Sequence, residues 1–248
     1  MNYSFKEKKF LIKPFPILFI KNFINKINKK NIINEMLNIE KKTSVKKVMG
    51  GRYRYSNNFF KKNDTVSEIY NYFNQKKTFD KIFNHIYNDS NQFLIKKDQF
   101  NNFYKKRNIL HKIINKFFPK LLENSFFLDL EFSIAKKNYC REPHHDRDTR
   151  ILSFLIYFNT TKKSSGGRLE IYEYKKNSNH YFARFPKKKN LNLYKMIKPE
   201  SGKLIIFFSS PDSIHGVEKF ISKNNEKRIF LYGSYTAFKK DDWKKNEN

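Results

Sequence analysis

Cysteine is nearly missing from this chain. Cys140 stands alone, so no disulfide framework can form within a monomer, and the usage suits a reducing compartment. It reads as a small residue beside a buried strand more readily than as a reactive nucleophile. Long apolar runs are missing too: nothing approaches the ~20 residues of a membrane-spanning helix. The opening KEKKFLIKPFPILFIKNF has the basic-then-apolar profile of a signal peptide. Pro14 and Pro16 interrupt it, however, and Lys21 with Asn22 follows where a small-residue cleavage site belongs. It reads as a strand, and a cytoplasmic protein with no membrane span is expected.

Glycine, proline, alanine and arginine are scarce, while lysine, asparagine, isoleucine, phenylalanine and tyrosine are in excess, the pattern A+T-rich codons produce. That bears on the formal net charge of +29. A selected basic footprint, for nucleic acid or another polyanion, would be clustered. Here lysine is spread over almost every polar segment, and the densest runs are only KKTSVKK at 41–47 and PKKKN at 186–190. Codon composition is the favoured reading, and nucleic-acid binding is expected to be non-specific at most. Hydrophobic residues make up 39% of the 248, but 27 are Phe, and large aromatics bury enough area for a real core. The chain is not compositionally disordered.

The first half reads mainly as helix. After a strand at Ile17–Ile20, NKINKKNIINEMLNIEKK places Ile27, Ile32, Ile33, Met36 and Leu37 at helical spacing. Thr65 precedes VSEIYNYFNQ as a capped start. QFNNFYKKRNILHKIINKFF carries an apolar helical stripe that Pro119 ends. From Ser125 the texture changes to short strands: FFLDLEFSIA, ILSFLIYFN, RLEIYEY, HYFARF, GKLIIFF, HGVEKFI and RIFLYGSYTAF. Turn-formers such as Gly166-Gly167 and Pro211-Asp212 divide several of them. Short strands after a helical region predict a β-sandwich or jelly roll braced by helices. One domain over 1–248 is expected: strand and helical support at 1–124, a β core at 125–240 and a polar tail at 241–248.

The chemistry concentrates in PHHDRDTRILSFLIYFN, residues 143–159. In extended backbone, residues two apart share a face, so His144 and Asp146 point one way and His145 and Arg147 the other. An imidazole and a carboxylate together are two-thirds of a metal site. The only His following a strand and turn downstream is His215, in SSPDSIHGVEKF; His85 and His111 fall in expected helices and His180 in a polar loop. Two His and one carboxylate with an open opposite face suit non-haem Fe(II) and its use of O₂. A cosubstrate with a free carboxylate needs a buried cation, and Arg228 lies on the next strand after His215. His145, Arg147 and Asp148 read as a solvated turn beside the site. Arg150 either flanks the entrance or pairs with an acidic neighbour.

At this point the sequence resembles the Fe(II)- and 2-oxoglutarate-dependent oxygenases, in the prolyl 4-hydroxylase-like branch, over roughly Phe15 to Phe238. The residues that carry the resemblance are PFPILFIKNFINKI, PHHDRDTRILSFLIYFN, SSGGRLEIYE, SGKLIIFFSSPDSIHGVEKF and EKRIFLYGSY, five elements in order. The resemblance implies a double-stranded β-helix core, preceded and braced by N-terminal helices. It implies His144, Asp146 and His215 as iron ligands and Arg228 as partner of the 2-oxoglutarate distal carboxylate, with O₂ as second cosubstrate. The branch's Y-x-x-G segment is replaced by KKNYC, so Tyr139 is either a cosubstrate contact or a core aromatic. No second Arg follows Arg228 closely, unlike in nucleic-acid demethylases of the AlkB type.

The expected activity is therefore hydroxylation of an unactivated C–H bond in a small molecule, a sugar or an amino-acid or peptide side chain, releasing succinate and CO₂. Two other readings stand beside it: a nucleic-acid-modifying oxygenase, which would join the charge to the chemistry, and a catalytically silent basic binding protein on the same fold.

Overall fold

Two β-sheets of unequal size face each other, and helices cover the outer face of the larger one. The computed structural model describes residues 3–45, 47–48, 50–88, 100–105, 107–176, 183–222 and 225–238. The expected polar tail, His180 and the first half of HYFARF lie outside the described residues. Among those described, the strands are β1 (Lys8–Leu11), β2 (Ile17–Ile20), β3 (Lys47–Val48), β4 (Arg52–Tyr55), β5 (Asn102–Tyr104), β6 (Ser125–Ala135), β7 (Arg141–His144), β8 (Arg150–Tyr157), β9 (Leu169–Tyr174), β10 (Leu191–Ile197), β11 (Leu204–Phe208), β12 (His215–Val217) and β13 (Arg228–Ala237). The helices are α1 (Lys26–Lys42), α2 (Thr65–Phe73), α3 (Lys76–Asn88) and α4 (Ile109–Phe117). The large sheet runs β1-β2-β11-β8-β13-β6-β4-β3, with β5 added parallel to β6; the small sheet runs β10-β9-β12-β7.

The apolar strands are explained by burial on both faces. In β8, Leu152, Phe154 and Ile156 join the core under the helices, while Leu155 and Tyr157 join the core between the sheets. In β11, Leu204, Ile206 and Phe208 face the helices, and Ile205 and Phe207 the small sheet. The same alternation sorts β13: Ile229, Leu231 and Tyr235 one way, Phe230 and Tyr232 the other. Period-two side-chain geometry therefore supplies a helix-facing core and an inner wall from one run of residues.

The helical layer departs from the sequence reading in two places. Thr65 is the first helical residue of α2, not its cap; Asp64 is the cap and its side chain makes no capping bond. Glu35 of α1 instead accepts from the backbone N–H groups of Thr65 and Val66, at 2.8 and 2.9 Å, so a neighbouring helix satisfies the donors that a local cap would take. The long helix expected from residue 99 onward begins only at Ile109. Asn108 and His111 form a reciprocal capping box there, while Asn102–Tyr104 pairs with β6. The α4 stripe is also packed only in part: Ile114 reaches the Leu122, Phe127 and Phe238 cluster, while Ile109, Leu110, Ile113 and Phe117 are exposed. Ala183–Phe185 of HYFARF is loop, and HGVEKFI is a strand only over His215–Val217.

Candidate metal centre

The strands β7 and β12 lie side by side in the small sheet, with His144 directly opposite His215. Asp146 follows the end of β7. One potential ligand atom from each of the three residues lies within 4.8 Å of the others, and all three residues are buried. The two imidazole rings stand 4.6 Å apart between centroids. Phe207 of β11 packs edge-on against His215 at 4.9 Å, and Phe185 lies over His144 at 5.9 Å.

Each imidazole is oriented by its own backbone. His144 Nδ1 donates to the Glu142 carbonyl at 2.8 Å, and His215 Nδ1 to the Ser213 carbonyl at 2.9 Å. Both Nε2 lone pairs are thereby directed away from the backbone, the tautomer a metal requires. Burial holds the two imidazoles neutral. It is the main reason His144 is pushed down to about 3, helped by His215 and Arg141 against the pull of Asp146. Burial lowers His215 likewise.

The Asp146 carboxylate is fixed by three side chains. Arg150 Nη1 donates to Oδ1 at 2.5 Å and Ser153 Oγ to Oδ2 at 2.5 Å. The Tyr232 hydroxyl lies 2.9 and 3.0 Å from the two oxygens, and Arg150 also donates to that hydroxyl. Burial works to raise this carboxyl, but Arg150, the two imidazoles and the Ser153 hydroxyl outweigh it, so it is held far below the usual carboxylate range. The donor set at neutral pH is thus two neutral nitrogens and one anionic oxygen, which fits a divalent first-row metal.

Arg228 opens β13 on the inner face of the large sheet and is fully buried. Its Nη2 donates to the Tyr157 hydroxyl at 3.2 Å. The guanidinium lies 4.4 Å from the Phe230 ring centroid and 5.3 Å from that of Tyr139. Its Nε and Nη1 have no hydrogen-bond partner. A buried cation with two unmatched donors and an aromatic collar is prepared for an anionic ligand. Tyr139, 3% exposed, lines the same cavity as Arg228, His144, Asp146 and His215. That cavity measures about 220 Å³ and lies between the sheets.

The Gly166-Gly167 turn packs against the Lys219–Phe220 segment and, through Gly167, against the Arg228 side chain. Both glycines have positive φ, and a Cβ on Gly166 would stand 2.4 Å from the Lys219 carbonyl oxygen. Only glycine fits that approach.

Residues 130–234, from the middle of β6 into β13, match the family model of the 2OG-Fe(II) oxygenase superfamily. The matched region contains His144, Asp146, His215 and Arg228. With that match and the triad, the protein is a 2-oxoglutarate-dependent dioxygenase, with Fe(II) as its metal and 2-oxoglutarate and O₂ as cosubstrates. No curated protein matches the sequence. Among solved structures, this oxygenase is similar to a prolyl 4-hydroxylase from Phytophthora capsici, at a TM-score of 0.54 and 11% identity, over 89% of this chain and 58% of that one. It is similar to SnoN, a non-haem α-ketoglutarate-dependent epimerase from nogalamycin biosynthesis (0.52, 9%, covering 89% and 78%). A third likeness is to HygX from Streptomyces hygroscopicus, a structure with nickel and 2-oxoglutarate bound (0.50, 10%, covering 89% and 82%). At these identities the likeness is one of fold: a double-stranded β-helix with a helical shell. No helix among the described residues is long and apolar enough to cross a membrane.

Sequence reasoning missed much around the triad. His145 is not in a solvated turn: it is 3% exposed, with Nδ1 2.8 Å from the Asp146 carbonyl and its N–H donating to the Arg184 carbonyl at 3.1 Å. Arg150 meets both of its readings, pairing with Asp146 and lining the cavity. Ser153 and Tyr232 carried no local signal, since both look like strand interior. Only the inward phase they share with Leu155 and Phe230 could have found them.

Proposed function

We propose that this dioxygenase hydroxylates an unactivated C–H bond of a small molecule, a sugar or an amino-acid or peptide side chain. His144, Asp146 and His215 hold Fe(II), and Arg228 receives the distal carboxylate of 2-oxoglutarate. Tyr139 lines the cosubstrate pocket as part of the aromatic collar. The observation that carries the reading is the pair of unmatched donors on fully buried Arg228, opening into the cavity that also contains the two-imidazole, one-carboxylate cluster.

Iron bound there supplies the chemistry that couples conversion of 2-oxoglutarate to succinate and CO₂ with oxygenation of the substrate. The chain contributes position and exclusion. The Glu142 and Ser213 carbonyls fix both ring orientations. Arg150, Ser153 and Tyr232 hold the Asp146 carboxylate ionised and immobile, which limits what it can do besides ligate. Leu155, Leu169, Val217 and Phe230 give the cavity apolar walls that displace water.

The test is succinate release from 2-oxoglutarate, with and without candidate substrates, together with mass spectrometry for a product gaining one oxygen. His144→Ala, Asp146→Ala and His215→Ala should each abolish Fe(II) binding and turnover while circular dichroism keeps the wild-type form. His145→Ala provides the control of register. A silent His145 variant beside an active His144 variant would reverse the ligand assignment.

A further inference from the structure

The chain has 43 lysines and nine arginines, so a basic lining produced by composition alone would be mostly lysine. Among the described residues, the cavity at the triad is lined by seven of the nine arginines and by no lysine. Arginine differs from lysine in presenting a planar fork that grips carboxylate or phosphate through two parallel bonds. The concentration therefore marks a site for oxyanions, and its charges can be assigned one by one.

Four of the seven have an occupation. Arg52 and Arg54 both pair with Glu131 at 2.7 Å. Arg150 pairs with Asp146, and Arg228 has the 2-oxoglutarate role proposed above. Arg141, Arg147 and Arg184 remain, and none of them has a salt bridge to an acid among the described residues. Like charge accumulates as a result: burial, then Arg147, Arg150 and Arg141, make it harder for Arg184 to keep its proton. Its Nε is buried with no hydrogen-bond partner. Half-buried Arg141 and Arg184 and exposed Arg147 repel one another in the free protein, and an anionic ligand would supply the counter-charge that relieves this.

Their placement is beside the reacting centre. Arg141 Nη2 lies 3.3 Å from His144 Nε2. Arg147 directly follows Asp146. The loop bearing Arg184 is docked by the bond from His145 N–H to the Arg184 carbonyl, with Phe185 over the His144 ring.

We infer that Arg141, Arg147 and Arg184 bind a carboxylate or phosphate of the substrate at the mouth of the cavity, so that the substrate is an anionic small molecule. This rests on the oxygenase reading of the site and narrows its substrate class. Nucleic acid is a poorer fit, because the arginines converge on one cavity of about 220 Å³ and not along a groove.

The experiment uses full-length protein loaded with Mn(II) and saturated with 2-oxoglutarate, so that the Arg228 site is filled and no turnover occurs. Calorimetric titrations compare N-acetylalanine with N-acetylalaninamide, and glycerol 3-phosphate with glycerol. Each anion should bind where its neutral counterpart does not, and the stronger of the two identifies the oxyanion. Arg184→Gln, and independently the solvent-exposed Arg147→Gln should the first variant not fold, should weaken the anion by about tenfold, the equivalent of one lost charge-assisted pair. Affinity for 2-oxoglutarate in the same variants should move far less. Equal binding of charged and neutral probes, no anion binding at millimolar concentration, or displacement of the anion by single-stranded DNA with unchanged response in both variants overturns the inference. Failure of Mn(II) or 2-oxoglutarate to bind wild type would instead reject the underlying oxygenase site, so the two failures are distinct.

Discussion

Arg228 concentrates the problem of this site in one side chain. It is completely buried, it has two unmatched donors, and among the described residues the guanidinium's only hydrogen-bonding neighbour is the Tyr157 hydroxyl. Desolvating a guanidinium costs several kcal/mol unless something pairs with it. The adjacent cation, Lys227, is already committed to Glu40 at 2.5 Å. Arg228→Gln removes the charge and keeps most of the volume. The expected outcome is a rise in the apparent KM for 2-oxoglutarate corresponding to about 2–5 kcal/mol, with the Fe(II) requirement little changed, read from succinate release as each is varied. An unchanged 2-oxoglutarate dependence would give the role to another cation.

At the scale of elements, β13 is where fold and function meet. Its inner phase carries Arg228, Phe230 and Tyr232 into the site, while its outer phase supports the helices. Gly233 belongs to the outer phase, directly opposite Phe154 in β8. A Cβ there would meet the Phe154 ring at 2.2 to 2.9 Å, and that ring cannot swing away freely because it stacks on Phe73 of α2 at 4.5 Å. Gly233→Ala should therefore destabilise by about 1–3 kcal/mol through overpacking, seen as a lowered midpoint in urea unfolding. A neutral or stabilising result would mean that the β13–α2 seam repacks at little cost. The principal strands β6, β8, β9, β11 and β13 were legible in the sequence because their apolar runs are long or alternate cleanly. Strands β7 and β10 were not: REPH and LNLYKMI are short or polar, and their pairing energy comes from neighbours distant in sequence.

For the whole molecule, the two kinds of positive charge separate. Arginine gathers at one cavity, and lysine covers the rest. The dispersed lysines should bind nucleic acid loosely through phosphate neutralisation alone, without sequence preference. Counterion release then predicts a loss of affinity of orders of magnitude between ~50 and ~200 mM salt, measurable by titrating duplex and single-stranded DNA and RNA. Tight binding at the higher salt, or succinate release stimulated by one nucleic acid, would favour the nucleic-acid oxygenase reading.

The sequence by itself determined the short-range features. The H-x-D spacing puts an imidazole and a carboxylate on one face because extended backbone repeats every two residues. The uninterrupted ILSFLIYF marks a strand, and Gly166-Gly167 marks a turn. Tertiary structure alone decided what depends on distance in the chain. It set His215 opposite His144, brought Tyr232 86 positions along the chain to Asp146, left α4 with an exposed apolar face, and gathered arginines from β4, β7, the following turn, β8, β13 and a loop around one cavity. Backbone periodicity is a local property that a few residues express. Convergence of side chains from separate strands is created by sheet register and the packing of one sheet on the other, which no local window contains.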